Sequence, residues 1–127
     1  TTLFRSVLRL SHILENNWYV YDIIFERDLS KWDDDRNYTI EECIAEIPKI
    51  EAAYQELLQS LTEEQLARTV RFKNVVGDMV ERRIGDLIFH TFDHCTYHRG
   101  QIAMIVREHG GEPAKTWYNR WIAETQA

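Results

Sequence analysis

Residues 92–101 read FDHCTYHRGQ, inside a run from about Met79 to His109 whose apolar side chains recur at helical spacing. Ile84, Leu87, Ile88, Phe92, Cys95, Ile102, Ile105 and Val106 mark one side of that run. Gly110 and Gly111 close it, because glycine tolerates the left-handed conformation that stops helices. The run is predicted to be the longest helix. His94 and His98 stand at i and i+4, about 6 Å apart on one face, so both imidazoles reach one ion without bending the backbone. His90 extends the series by another turn. His90 and His98 are about 12 Å apart along the axis, so one ion takes either His90/His94 or His94/His98, and spacing does not choose between them. Donors must also arrive from another element, and His12 is the natural candidate. Histidines at this spacing also arise as ordinary surface groups.

Upstream, Leu3, Val7, Leu10, Leu14, Trp18, Tyr21 and Phe25 step by three and four, with no glycine or proline, which predicts a helix from Leu3 to about Leu29. The polar stretch SKWDDDRNY interrupts it, and its three consecutive carboxylates read as a solvated loop. Thr39 and Glu42 then form a capping box for a second helix. Ile40, Ile44, Ile47, Tyr54, Leu58 and Leu61 are predicted to be its apolar side, with a kink or break near Ile47 because Pro48 removes a ladder donor. Thr62 and Gln65 repeat the capping pattern for a short third helix. RTVRFKNVVGD alternates β-branched and aromatic residues with polar ones and reads as an irregular or short extended connection. KTWYNRWIAE makes a last short helix, expected to set Trp117 and Trp121 against the rest. Gly100, in mid-helix, costs about 1 kcal/mol relative to alanine, which predicts a close helix contact there. The pattern is all-α, a helical bundle in one domain over residues 1–127.

Composition narrows the function. With 44% hydrophobic and 28% charged residues the chain is of globular type. It carries neither a signal-like amino end nor an apolar run approaching the roughly 18 residues of a spanning helix. A soluble, cytoplasmic protein without a membrane partner is expected. The net charge of -6 disfavours nucleic acid, whose phosphates call for concentrated Lys and Arg. Cys43 and Cys95 fit no CxxC pattern and read as small buried hydrophobes.

Read as one unit, DHCTYHRGQIAMIVREHGGEPA (93–114) resembles the DinB-like (YfiT-like) metal-binding four-helix proteins, a family distinct from the DNA polymerase of similar name. LRLSHILENNWYVYDII (8–24) resembles the helix of that family that carries its third histidine. The resemblance implies an up-down helical bundle in which His12, His94 and His98, and not His90, hold a divalent metal ion. It also implies a first helix that this chain lacks. The apolar flank so exposed would be covered by a second subunit or a further segment, and a homodimer is expected.

Three neutral imidazoles leave an ion with an open position, the pattern of catalytic sites. Activation of water gives a hydrolase, and stabilisation of a thiolate gives a thiol transferase. The resemblance favours transfer of a low-molecular-weight thiol to a small-molecule substrate. Imidazole ligands suit zinc, placed first, and nickel, placed second, ahead of iron, manganese or copper. Glu15 and Asn16, about one turn from His12, are expected to contact the ligands or substrate, or else to be solvated helix residues. Arg99 and Gln101 are assigned to packing and interface hydrogen bonds. The competing readings are a stress- or damage-induced metal-binding or interaction protein without turnover, and a plain structural helical domain.

Overall fold

The computed structural model describes residues 2–32 and 36–126, with side chains from Phe4 onward. The aspartates of WDDD and the Leu3 side chain therefore lie outside the described residues. Helix α1 spans Thr2–Ile24, five residues short of the predicted end at Leu29. No glycine announces that stop. Glu26 adopts the left-handed conformation (φ 52°). The Glu26 N–H then reaches the Ile23 carbonyl at 3.0 Å and the Arg27 N–H reaches that of Asp22 at 2.9 Å, a Schellman closure. An ion pair between Glu26 and Arg68 at 2.8 Å holds the turn.

Helix α2 (Ile40–Ser60) opens on the expected capping box: Glu42 N–H donates to Thr39 Oγ1 at 3.2 Å and Thr39 N–H to Glu42 Oε2 at 2.8 Å. It runs past Pro48 as one helix, so of the kink or break expected near Ile47 the break does not occur. Pro48 and Ile44 both lie on the exposed side, where water takes the carbonyl that proline leaves without a donor. The buried side is Cys43, Ile50, Tyr54 and Leu57. The predicted Ile44, Ile47 and Leu58 are 63%, 42% and 45% exposed. Two apolar stripes run along this helix, and periodicity alone does not say which one faces inward.

Helix α3 (Glu63–Ala67) starts at the Thr62/Gln65 box. The next segment forms a hairpin: β1 (Thr69–Lys73) pairs antiparallel with β2 (Met79–Arg83), Thr69 opposite Arg83 and Lys73 opposite Met79. Its second strand takes the first five residues predicted to be helical, so α4 spans Ile84–Glu108. Asn74 shapes the turn by accepting from Val76 N–H at 3.1 Å and Asp78 N–H at 2.8 Å. Helix α5 covers Tyr118–Thr125.

Helix α1 packs on α4 and α2. Leu14, Val20, Ile23 and Ile24 meet Tyr54, Leu57, Ile84, Leu87 and Ile88 in one core. Arg68 ties the C-terminal end of α1 to the start of α4: its guanidinium reaches the Ile24 carbonyl at 3.4 Å, and its own carbonyl accepts from Ile84 N–H at 2.9 Å. The two helices are thereby antiparallel, which carries the first half of α1 past the middle of α4. Phe92, Trp117 and Trp121, predicted to face inward, are exposed. Around Gly100 an added Cβ would meet nothing within 4 Å, so the predicted close helix contact is not found among the described residues. Among the described residues, no helix is long and apolar enough to cross a membrane.

Candidate metal centre

Because α1 and α4 are antiparallel, His12 arrives opposite His94 and His98. The ring centroids are 4.9 Å apart for His12 and His94, 4.7 Å for His12 and His98, and 4.4 Å for His94 and His98. One ligand nitrogen from each of the three lies within 4.8 Å of the others. The three-histidine group could hold a metal ion. His90, the alternative that spacing left open, is exposed and tilted against His94 with centroids 5.6 Å apart, and it is not among the three.

The three rings differ in setting. His98 is buried and lies edge-on to Tyr97, 5.0 Å away. Its Nδ1 faces Gln101 Oε1 at 2.7 Å, which leaves Nε2 for the cluster. His94 is half-buried, and its Nε2 is 3.1 Å from His12 Nε2. Burial, followed by the imidazoles of His98, His12 and His90, pushes the pKa of His94 down to about 4, so it is neutral near pH 7 and has a lone pair to give. His12 is exposed and marks the open side of the group.

Three imidazole nitrogens are a donor set suited to a divalent metal ion. Tetrahedral nitrogen ligands about 2.0–2.1 Å from an ion stand about 3.3 Å from one another, and the Nε2 atoms of His12 and His94 are already 3.1 Å apart. Two side-chain nitrogens, His94 Nδ1 and Asn16 Nδ2, are buried without a hydrogen-bond partner among the described residues.

Glu15 is buried. Asn16 is half-buried. The acceptor found on a cluster ring is Gln101, which corrects its assignment to packing. Three residues rotate a helix by about 300°, leaving Gln101 only about 60° from His98 and less than a turn above it, a normal i, i+3 contact. The signal was present in the spacing. Arg99 stays within its helix and donates to Thr96 Oγ1 at 3.2 Å. Cys95 points away from the cluster, its thiol donating to Asn17 Oδ1 at 3.2 Å.

Fold and site together define a helical protein with a three-histidine cluster between two antiparallel helices, open on one side. The chain belongs to the DinB family, which it matches over residues 4–126. It is 30% identical over 64 residues to Protein DinB of Bacillus subtilis (strain 168), a match that covers 50% of this chain. That match spans only 37% of the Bacillus protein's length. No solved structure matches the chain.

Proposed function

We propose that the protein is a metal-dependent enzyme acting on a small molecule, with His12, His94 and His98 holding one divalent ion, zinc before nickel. The observation that carries this reading is the convergence of three imidazole nitrogens within 4.8 Å from two helices. When bound, such an ion supplies Lewis-acid chemistry, which suits transfer of a low-molecular-weight thiol or hydrolysis. The chain's own residues do the positioning. His98 is the buried anchor, His94 is held neutral by its surroundings, and exposed His12 stands where a substrate would enter. Glu15 and Asn16, about one turn from His12, are the polar groups proposed to contact ligand or substrate.

Metal analysis of untagged protein tests the site. The parent should carry about one equivalent and His94→Ala little, whereas equal content in both would remove the assignment. Activity is then screened with thiol cofactors against electrophiles and with hydrolysable esters and amides. Metal retained without turnover in any of these would favour the reading as a binding protein.

The chain is proposed to act as one domain in the cytoplasm and as a homodimer. A groove of about 670 Å3 separates α2 from α4, lined by the exposed apolar side chains Leu58, Phe92 and Trp121. Glu51 on one wall and Arg99 on the other offer a second copy opposite charges to match in reciprocal pairs. Sedimentation should give a dimer for the parent and a monomer for Glu51→Arg. A parent that is monomeric at every concentration would overturn the pairing.

A further inference from the structure

We propose that Gln101 is a positioning residue of the cluster: its side-chain carbonyl fixes the proton of His98 on Nδ1 and so presents Nε2 to the ion. The inference rests on the metal-site reading above and adds to it a residue and a direction of effect. A neutral imidazole carries one proton, on either nitrogen, and only the bare nitrogen is a ligand. An unrestrained histidine in water favours the proton on Nε2, the form unable to bind an ion through that atom. At His98 the contact from Nδ1 to Gln101 Oε1 is 2.7 Å, short for a neutral pair, and both side chains are at least half-buried. Water competes poorly for that proton. The ring is also clamped edge-on by Tyr97 at 5.0 Å, so the hydrogen bond sets the tautomer and the ring contact sets the plane.

His94 lacks this device. Its Nδ1 is buried without a partner among the described residues. His98 is thus the preorganised ligand on which the other two close.

The choice of an amide matters as well. A carboxylate in the same place would draw the Nδ1 proton more strongly and make His98 a stronger donor, quenching more of the ion's charge. Glutamine holds the tautomer while leaving the ion more electrophilic. Gln101→Glu is therefore expected to bind metal at least as tightly as the parent. Gln101→Leu, of similar volume but without an acceptor, is expected to bind about 10- to 100-fold more weakly.

The test uses the full chain in two measurements. In metal-free protein, at a pH where imidazoles are neutral, nitrogen-15 NMR reads which ring nitrogen of His98 carries the proton. The expected result is Nδ1 in the parent and in Gln101→Glu, and a shift toward Nε2 in Gln101→Leu. Competition titration with zinc against a chromophoric chelator then reads affinity, which should rank glutamate, glutamine, leucine from tightest to weakest. A packing role for Gln101 would move thermal stability and leave the tautomer alone. The proposal is overturned if the tautomer is the same in parent and leucine variant, or if both bind zinc equally. If the parent binds no zinc, the site reading fails instead, and the tautomer measurement on metal-free protein still stands by itself.

Discussion

Ser11 shows how one hydroxyl sets the rotation of the helix that delivers His12. Its side chain is fully buried, and its Oγ accepts from the Tyr38 N–H at 2.8 Å, so that face of α1 is pinned to the segment leading into α2. His12, about 100° further round, is then aimed at α4. Ser11→Ala would strand a buried donor, at a cost of about 1–3 kcal/mol. The urea midpoint should fall with an unchanged slope, and an unaltered midpoint would show that water replaces the hydroxyl. The cysteines carry a second prediction. Burial pushes the thiols of Cys43 and Cys95 above the ordinary thiol range. Both should react with thiol reagents slowly in the folded protein and rapidly in urea, so that any thiol used at the site comes from outside the chain. Fast labelling of folded protein near pH 7 would contradict this.

Among the elements, the capped starts of α2 and α3 and the glycine stop of α4 were legible, and the end of α1 and the start of α4 were not. Thr39 with Glu42 and Thr62 with Gln65 announce α2 and α3 because a cap is local chemistry, two side chains answering two backbone N–H groups. The end of α1 rests on Glu26 in a left-handed conformation and on Arg68, 42 residues away, which no local pattern reveals. The start of α4 was misplaced for a related reason, since Met79–Arg83 becomes a strand by pairing with Thr69–Lys73. The histidine triad was legible from i, i+4 spacing and family likeness together, while Gln101 needed the rings in place. Two substitutions test the helices. Gly100 sits at an open position in α4, so Gly100→Ala should stabilise by up to about 1 kcal/mol, with no steric term to oppose it. Pro48→Ala restores a donor inside α2 and should also stabilise, by up to about 3 kcal/mol. Calorimetric melting checks both, and a lower midpoint in either would mean that the backbone there is not regular helix.

On the scale of the whole molecule, the cluster is a clasp between elements far apart in sequence. His12 and His94 are 82 residues apart, and α1 and α4 share the largest helix contact in the fold. An ion bound to all three rings requires α1 and α4 to be docked, whereas the unfolded chain offers at best the local pairs within FDHCTYHRGQ. Binding to the folded state alone stabilises it by about 2.7 kcal/mol when free metal is a hundred times the dissociation constant, which raises the melting temperature by on the order of 10 °C. His12 is exposed and contributes little to the core, so His12→Ala should leave the metal-free melting temperature where it was and abolish most of the metal-dependent rise. That pairing of results separates a clasp across two helices from a site confined to one. If zinc stabilises His12→Ala as much as the parent, the ion sits on α4 alone, and His90 with His94, left open by their spacing, would become the pair to examine.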